Sequence, residues 1–580
     1  MGKSTKGSKS SSAGDLLVNQ TDALFWESRA SGWAGDEDPA QRKYRQLLLP
    51  KKTIQIAASG QVQISAVERE IIDTPSFQRL RGVRQLGAAC QVYPTALHTR
   101  FDHSIGTMGV VADMITSIRT NEHNSDAERR ITRKEETLAR LYALLHDISH
   151  VPFGHTIEDE LQILVRHDKN EARIDYYLGP DSEIGKIIVR EYGADFLELL
   201  LKIYRWDENP KQCAIPKDSV FIHDMVSNTV CADLLDYLRR DNYFCNLGVG
   251  LEYHFLNYLY LQQEAETGFK RVFIRLWKKE GRPRRDILTA LCLLLEARYL
   301  VAERVYFHHA KIIAGTMLSR AIQESTKIAE ITEESIREHT DDTLVAALTK
   351  SGSLLAKELG SAYKERRLYE CVHEYRDEDI RKAQAESHFD NQYKIVTAKI
   401  GKAEARRNFE NYLAACTNAE DGDFLLYAPE PKMNMKQAEM KVFWSGETKA
   451  FKDIDDPIVK SRLKAILSAH ERLWSIMLLA KRSLSDGQKN LAKHIVETEL
   501  FAPTATAKHE KDKNIVRIIE ERLVGLSNIR LTEKERREKI AACAEEALIK
   551  YRDSDDFRVR LNTLVAKHFP DAADEKSNSE

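Results

Sequence analysis

The spacing of apolar residues along the chain predicts a protein that is mostly α-helical. Apolar positions recur at intervals of three and four residues, which is the pattern of helices that bury one face against a core. The segments with this spacing are 104–119, 127–148, 220–242, 252–265, 284–325, 342–387, 455–500 and 508–568. We therefore expect a core of packed helices.

Strand-like alternation is confined to a few short stretches. Residues 51–65 alternate around Ser59 and Gly60, which predicts a hairpin. Ser65 and Glu68 have the spacing of a capping box, so a helix is expected to begin directly after the hairpin. The other predicted strands are 392–400, 423–429 and 440–446, which indicate a small sheet in an accessory region.

The length and the order of these elements predict several packed units. A chain of 580 residues exceeds the size of a single hydrophobic core. Residues 1–49 are predicted to be a disordered tail and lead-in, because the opening text MGKSTKGSKSSSAG is too polar to bury a core. The other predicted segments are a helical core over 50–330, a helical accessory region with a small sheet over 331–450, and a charged helical region over 451–580.

The composition narrows the classes of partner and compartment. The chain is 42% hydrophobic and 30% charged with a net charge of −2, which indicates a globular protein without a global attraction to nucleic acid or membranes. Eight cysteines lie far apart without a CxxC pair, as in reduced cytosolic proteins. The text also contains neither a long apolar span nor a secretory signal. We therefore expect a cytoplasmic protein, with nucleic-acid binding a minority hypothesis for the charge runs at 364–407 and 508–552.

The stretch LYALLHDISHVPFGH, residues 141–155, carries the clearest chemical signal. His146 and Asp147 are neighbours at the end of helix-like text, where ionisable groups are costly to bury unless they are paired or bind a metal. Adjacent side chains diverge on a helix, so the remaining ligands must come from other segments. His103 and Asp233 are the candidates. Two imidazoles and two carboxylates suit one divalent ion of Mn, Fe, Zn or Ni, which would activate water for hydrolysis.

The four candidate ligands follow one another along the chain in the order H…HD…D, and four sequence motifs contain or flank them. These motifs are IIDTPSFQRLRGVRQLG, VYPTALHTRFDHSIG, LHDISHVPFGHTIED and ADLLDYLRRD. The text resembles the HD-domain metal-dependent phosphohydrolases, in the deoxynucleoside triphosphate triphosphohydrolase branch of SAMHD1-like proteins and bacterial dGTPases, from about Lys52 to Arg320. The resemblance implies a mostly α-helical HD-domain core, followed by a C-terminal accessory region with helices and a small β-sheet. The metal ligands that it implies are His103, His146, Asp147 and Asp233.

Residues around the proposed metal are candidates for the chemical step. Arg100 precedes the first ligand by one helical turn, where a guanidinium would neutralise phosphate charge. The resemblance implies that His150 and His155 bind phosphate and act as acid–base groups beside the α-phosphate. It also implies that His167 acts near the leaving 5′ oxygen. Glu158 falls where the family keeps an acid that orients the catalytic histidine.

A further set of residues matches positions that recognise the nucleotide. Tyr306 matches an aromatic residue that packs where a ribose 2′-hydroxyl would have to fit, and Arg298 matches a ligand of the γ-phosphate. These two residues are two turns apart on one helix face. The residues matching positions that contact or sense the sugar are Gln85, Leu86, Tyr237 and Asp241.

The implied reaction is the hydrolysis of a deoxynucleoside triphosphate to a deoxynucleoside and inorganic triphosphate. Water activated by the metal would attack the α-phosphorus, and a histidine would give a proton to the leaving 5′ oxygen. Further expectations are Mg²⁺ bound with the triphosphate and a homo-oligomer. Two alternatives stay open: an HD-type phosphodiesterase or nucleotidase, and a non-catalytic scaffold that senses nucleotide or binds nucleic acid. The chemistry is compatible with nucleotide-pool balance and with defence against phage.

Two features depart from the family pattern. Leu234 stands where the family often has a lysine that reaches the phosphates, so Lys169 or His309 would have to supply that charge. The activator site of the family usually follows a DPxHG word, whereas the aligned text here is IAASG. The residues Asp73, Gln78 and Arg81 match positions that can hold a regulatory nucleotide, and a surface salt-bridge network is the alternative.

Overall fold

The computed structural model describes residues 38–206, 215–278, 281–376, 396–429 and 438–501. The predicted tail up to residue 37 and the predicted helix over 508–568 lie outside these residues. Within them the fold is mostly α-helical with a few small sheets, which confirms the predicted fold class. Among the described residues, none of the helices is long and apolar enough to cross a bilayer.

The elements are numbered in chain order. The α-helices are α1 (Pro39–Leu47), α2 (Ala66–Ile72), α3 (Pro75–Gln78), α4 (Arg100–Thr120), α5 (Asp126–Arg129), α6 (Arg133–Leu145), α7 (Glu171–Leu178), α8 (Glu183–Tyr192), α9 (Ala194–Tyr204), α10 (Val220–Ser227), α11 (Ala232–Cys245), α12 (Arg285–Val301), α13 (His309–Lys327), α14 (Glu333–Ile336), α15 (Asp341–Leu348), α16 (Leu354–Lys364), α17 (Ala403–Thr417), α18 (Pro457–Glu471) and α19 (Asp486–Val496). The strands are β1 (Pro50–Ile56), β2 (Gly60–Ser65), β3 (Leu259–Gln263), β4 (Lys270–Arg275), β5 (Glu370–Arg376), β6 (Phe424–Tyr427), β7 (Lys441–Trp444), β8 (Glu447–Ala450) and β9 (Ser475–Ala480).

The predicted hairpin and the helix that follows it are confirmed. Strands β1 and β2 pair antiparallel with Ile56 opposite Gly60. The Ser65 side chain accepts a hydrogen bond from the backbone N–H of Glu68, and the Glu68 carboxylate accepts one from the backbone of Ser65. At the turn, the Ser59 hydroxyl donates to Asp236 Oδ1 at 2.7 Å. The hairpin therefore supports helix α11 from outside.

Helices α4, α6, α10 and α11 share one apolar core. Their buried side chains, such as Ile105, Leu141, Phe221 and Leu235, belong to a single hydrophobic cluster. Burial of these apolar faces fixes the helices relative to one another. As a result, the polar residues at the ends of α4, α6 and α11 are brought together.

The helix predicted over 252–265 is wrong. His254–Tyr258 form a 3₁₀ turn, and Leu259–Gln263 form strand β3, which pairs antiparallel with β4. A short apolar run such as FLNYLYL fits either a buried helix or a strand by periodicity alone. Pairing with β4, a strand that the pattern also missed, decides the outcome.

Two further predicted helices each contain a strand. The described part of 342–387 forms α15, α16 and β5, and 455–500 forms α18, β9 and α19. Strand β9 is buried at every position and lies between β5 and β6, so its text is a continuous apolar run without alternation. The strand predicted over 392–400 is also wrong where it is described, because Thr397–Gly401 are helical.

Two other predicted helices are each divided into two helices, and two predicted strands are present. The helix predicted over 220–242 is divided between α10 and α11, and that over 284–325 between α12 and α13. The strands predicted at 423–429 and 440–446 correspond to β6 and β7.

One sheet joins distant parts of the chain. Its strand order is β3-β4-β7-β8, and β4 pairs parallel with β7. Ile454 and Leu463 belong to the same apolar cluster as the four core helices. Residues 438–466 thus pack against the helical core, while the segment boundaries near 330 and 450 stay predictions.

Candidate metal centre and active site

A cavity of about 1050 Å³ lies where α4, α6, α11 and α12 converge. Its wall also includes residues 146–169, which follow α6. Predicted site residues that line it are Gln85, Leu86, Arg100, His146, Asp147, His150, His155, Glu158, His167, Asp233, Tyr237, Asp241, Arg298 and Tyr306. The structure therefore brings together residues from five separate parts of the sequence.

The ends of three helices place the candidate ligands. Thr99 caps α4 through a capping box with Asp102, which sets His103 in the first turn of that helix. His146 is the C-cap of α6, and Asp147 follows it in a turn. Asp233 lies in the first turn of α11. Helix ends have free backbone groups and few neighbours along their own axis, which leaves room for side chains of other segments.

The four candidate ligands converge at one end of the cavity. His103 Nε2 lies 3.0 Å from Asp233 Oδ1 and 3.7 Å from Asp147 Oδ2. His146 Nε2 lies 3.5 Å from Asp147 Oδ1 and 3.7 Å from Asp233 Oδ1. One ligand atom each from His103, His146 and Asp147 lies within 4.8 Å of the others. The set meets the first requirement of a metal centre, which is that donor atoms from distant segments face a common point.

In both imidazoles Nδ1 has a protein partner, so Nε2 is the nitrogen that faces the candidate carboxylates. His146 Nδ1 lies 2.7 Å from the carbonyl oxygen of Ala143, and its buried Nε2 has no hydrogen-bond partner among the described residues. His103 Nδ1 lies 2.8 Å from Asp236 Oδ2, the arrangement in which a carboxylate orients a metal-binding histidine. Two imidazole nitrogens and two carboxylates fit a divalent transition metal.

Electrostatics favours positive charge at this point. Burial lowers the pKa of His103, but hydrogen bonds to Asp233 and Asp236 outweigh burial and raise that pKa to about 10. Burial raises the pKa of Asp147, yet the charges of Arg100, His146 and His150 hold it well below its usual value. Arg100 Nη1 contacts Asp147 Oδ2 at 2.5 Å, so this buried guanidinium supports a candidate ligand as well as lining the cavity. A bound cation would take the place of the proton on His103.

A second group of histidines lies beside the candidate ligands. The rings of His150 and His167 stack with their centroids 3.4 Å apart. His167 Nδ1 lies 3.1 Å from Glu158 Oε2, and Arg173 Nη1 donates to Glu158 Oε1 at 2.6 Å. The contact with Glu158 therefore fixes the orientation of the His167 ring, while the catalytic role of either residue stays a prediction. The ring nitrogens of the stacked pair lie near Asp147 as well, but parallel rings suit contacts to a substrate better than coordination of one ion.

His150 and His155 occupy different environments. His150 is buried, and burial together with the charges of Arg100 and His167 holds its pKa well below the usual value of 6.5. His150 is therefore a neutral imidazole at physiological pH. The side chain of His155 is 53% exposed and pairs with Asp159 at 2.7 Å, and its ring centroid lies 5.0 Å from that of His150. His155 thus stands at the mouth of the cavity, where a ligand would enter.

The cavity is also lined by the residues predicted to contact the sugar and the outer phosphates. The Tyr306 hydroxyl donates to Asp241 Oδ2 at 2.6 Å. Asp241 Oδ1 lies 2.8 Å from His98 Nε2, which holds the carboxylate from behind. Gln85 Oε1 is buried without a hydrogen-bond partner among the described residues, as expected of a group that awaits a donor from a ligand. Arg298 lines the same part of the cavity.

The residues predicted to hold a regulatory nucleotide do not line the cavity. Arg81 stacks over the ring of Phe101 at 3.6 Å and donates to Gln78 Oε1 at 2.7 Å. Asp73 pairs with Arg69 at 3.4 Å, and both side chains are mostly exposed. The pair of Asp73 and Arg69 is a surface salt bridge of the kind that the alternative hypothesis describes. Binding of a regulatory nucleotide by these residues stays a prediction.

Several residues of the site were missed from the sequence. Asp236 lies three residues after Asp233 on α11, a spacing that could have indicated it. His470 of α18 lines the cavity, and its ring centroid lies 6.1 Å from that of Phe307. No local pattern links residue 470 to the site, because it comes from a distant helix. Of the two cations suggested in place of the family lysine, Lys169 lines the cavity.

Comparison with known proteins agrees with the geometry. Residues 100–241 match the HD domain, and residues 284–503 match the HD associated region. The chain therefore carries regions that match an HD domain and an HD associated region, as the resemblance in its sequence implies.

Individual proteins are also similar to this chain in sequence. The chain is 30% identical over 313 residues to an uncharacterized protein of Methanocaldococcus jannaschii, covering 53% of this chain and 57% of that protein. It is 29% identical over 224 residues to the deoxynucleoside triphosphate triphosphohydrolase SAMHD1 homolog of Dictyostelium discoideum, covering 37% and 40%. It is 24% identical over 300 residues to human deoxynucleoside triphosphate triphosphohydrolase SAMHD1, covering 48% and 46%. The chain thus spans about half the length of these relatives.

Solved structures share the fold. A hypothetical protein of Aquifex aeolicus aligns with a TM-score of 0.51 at 21% identity, over 76% of this chain and 99% of that one. A phosphohydrolase of Bacteroides thetaiotaomicron aligns with a TM-score of 0.50 at 20% identity, over 74% and 100%. At these identities the likeness is one of fold alone.

Proposed function

We propose that this protein hydrolyses deoxynucleoside triphosphates to deoxynucleosides and inorganic triphosphate. The observation that carries the proposal is the meeting of His103, His146, Asp147 and Asp233 beside a cavity that Tyr306 and Arg298 also line. A centre for activating water and a set of groups for a sugar and outer phosphates therefore face the same space. The similarity to triphosphohydrolases named SAMHD1 supports this choice of substrate.

The candidate ligands would hold one divalent transition metal, for which Mn, Fe, Zn and Ni have suitable ligand preferences. Such an ion supplies a bound water of lowered pKa and withdraws charge from a phosphoryl oxygen. Arg100, paired with Asp147, adds positive charge beside the phosphate. Neutral His150 donates or accepts a hydrogen bond there without adding charge. Mg²⁺ would accompany the triphosphate.

The proton for the leaving group comes from the histidines. A sugar 5′ alkoxide is a poor leaving group, so it needs a positioned acid. His167 fits this role because Glu158 holds its Nδ1, which leaves Nε2 to face the cavity. Burial raises the pKa of Glu158, but the hydrogen bond to His167 together with the charges of His167 and Arg173 outweighs burial and lowers that pKa. Glu158 therefore remains a carboxylate that can orient the ring.

The sugar end of the cavity supports a preference for deoxyribose. Tyr306 and Asp241 are hydrogen-bonded to each other, and the ring of Tyr306 occupies the wall where a 2′-hydroxyl would have to be placed. Admitting a ribose there would require the tyrosine to move or would leave a polar group without a partner. Gln85 offers a buried acceptor for a sugar hydroxyl.

A product assay tests the proposal. The protein is incubated with Mn²⁺ and each of four dNTPs and four rNTPs, with and without a second nucleotide, and the products are separated by chromatography. We expect deoxynucleoside and inorganic triphosphate from dNTPs. Release of pyrophosphate or of monophosphate would instead support a phosphodiesterase or nucleotidase. Thermal stabilisation by dNTPs without any product would support the nucleotide-sensing scaffold.

A further inference from the structure

Helix α15 begins against two segments that form the wall of the cavity. Asp341, its first residue, is fully buried. Its Oδ2 accepts a hydrogen bond from the backbone N–H of Arg84 at 3.2 Å, and its Oδ1 accepts one from the backbone N–H of Phe153 at 3.3 Å. One carboxylate thus joins the chain just before Gln85 to the chain just before His155. Both of those residues line the cavity.

The Phe153 segment has a backbone conformation that requires support. Phe153 has a φ of 56°, in the left-handed region that residues other than glycine rarely adopt. Its ring packs edge-on against Tyr363 of α16, with centroids 5.8 Å apart. A Cβ added to Gly87 would lie 3.4 Å from Phe153 Cα, so the two wall segments also contact each other directly. The conformation is held by contacts from outside the segment.

Other contacts from the same helices reach the Arg84 side of the cavity. A Cβ added to Gly82 would lie 2.4 Å from Thr340 Cγ2, so the absence of a side chain lets the N-cap of α15 approach. Arg366, just after α16, donates to the carbonyl oxygen of Gln91 at 3.0 Å. The contact between the wall and helices α15 and α16 is therefore continuous, and Asp341 is where it reaches both segments at once.

We propose that Asp341 is a positioning residue that holds the Arg84–Leu86 segment and the Phe153–His155 segment in a fixed arrangement within the wall of the cavity. The sugar contact at Gln85 and the phosphate contact at His155 then keep the spacing that one nucleotide requires. Helix α15, outside the HD domain match, is in this way part of the support of the active site. The effect on nucleotide selection rests on the proposed function, whereas the effect on the two segments does not.

Hydrogen exchange on the full-length protein tests the contact without any need for turnover. Asn at position 341 has one acceptor oxygen for two N–H donors, so Asp341→Asn should break one of the two hydrogen bonds. We expect at least one of the two amides, that of Arg84 or that of Phe153, to exchange at least tenfold faster in this variant. Asp342→Asn is the control, because Asp342 pairs with the Arg84 side chain at 2.8 Å but is itself 82% exposed. This control should leave exchange in both segments unchanged.

Kinetics gives a second measurement that a loss of general stability would not reproduce. Asp341→Asn should lower kcat/KM for dNTPs at least tenfold and reduce the ratio of dNTP to rNTP turnover, while Asp342→Asn stays within twofold of wild type. If Asp341→Asn does not fold, Asp341→Ser is measured instead. Folded variants whose two segments exchange at the wild-type rate would overturn the proposal. Faster exchange in a protein that turns over no nucleotide would sustain the positioning role and refute the proposed function.

Discussion

His103 and Asp236 form a buried pair in which a ring nitrogen lies 2.8 Å from a carboxylate oxygen. Asp236 is held in turn by Arg240, whose Nε donates to the same oxygen at 2.8 Å. The carboxylate fixes the ring so that Nε2 faces Asp147 and Asp233. It acts on the proposed metal only through His103.

This pair predicts a loss of metal affinity in Asp236→Asn. Loss of the charged acceptor should weaken binding of Mn²⁺ about 10- to 100-fold, as measured by competition with a chelator. Asp224→Asn is the control, because Asp224 also accepts from a buried arginine, Arg271 Nε at 2.7 Å. Equal metal affinity in both variants would show that Asp236 does not orient a ligand.

The contact between His167 and Glu158 predicts a defect in the chemical step. His167→Gln should lower kcat by about 10²- to 10⁴-fold with little change in KM, because a positioned acid acts in the transition state rather than in binding. Steady-state kinetics with dNTPs measures both constants. His254→Gln, a partly exposed histidine away from the cavity lining, should behave as wild type. A raised KM with an unchanged kcat would assign His167 to binding instead.

The position of Tyr306 predicts that its ring selects deoxyribose over ribose. Tyr306→Ala should raise rNTP turnover relative to dNTP turnover about tenfold, since the ring that fills the place of the 2′-hydroxyl is removed. Tyr306→Phe keeps the ring but loses the hydrogen bond to Asp241, so it should retain most of the discrimination. The ratio of kcat/KM for matched dNTP and rNTP pairs is the measurement. An unchanged ratio in the alanine variant would place discrimination elsewhere.

The position of His470 in the cavity lining predicts that this residue contributes to binding of the outer phosphates. Burial and the nearby charge of Arg298 lower the pKa of His470, and a phosphate between them would favour its protonated form. His470→Ala should therefore weaken inhibition by inorganic triphosphate about tenfold, which corresponds to about 1.4 kcal/mol. Inhibition of the wild type should strengthen as the pH falls. His470→Phe keeps the ring contact with Phe307 and should show the same loss as the alanine variant.

The raised pKa of Asp341 predicts that the free energy of unfolding of the protein depends on pH. Burial raises its pKa to about 7, although Arg84 and two backbone N–H groups act in the opposite direction. The unfolded chain loses this proton near the ordinary value of 3.8, so the contribution of Asp341 to stability is complete below that pH and is lost as the pH rises to about 7. The loss is roughly 4 kcal/mol at about 1.36 kcal/mol per unit.

The unfolding temperature of wild type relative to Asp341→Asn measures this effect. The difference should shift in favour of the variant between about pH 4 and pH 7 and then level off. The acidic and basic groups that face Asp341 are Arg84 and Asp342, so Asp342→Asn serves as the control. Parallel curves for wild type and Asp341→Asn would contradict the raised pKa.

The local sequence by itself determines several helices of this protein, one helix start and the candidate ligands. Helix periodicity predicts α4, α6 and α11, because a buried face leaves a repeating apolar pattern in the sequence itself. The capping box at Ser65 and Glu68 sets the start of α2 through hydrogen bonds between neighbours in the chain. The candidate ligands were predicted because ionisable residues inside apolar text have few roles other than chemistry.

Tertiary structure decided the rest, because it depends on partners that are distant along the chain. The apolar runs of β3 and β9 become strands only through pairing with β4 and with β5 and β6. His470 lines the cavity and Asp341 contacts the segments of its wall because helices far along the chain pack there. No spacing in the sequence relates these two residues to Arg84 or Arg298. Short-range patterns fix helices and caps, whereas strand pairing and the walls of a site are settled by which surfaces are buried together.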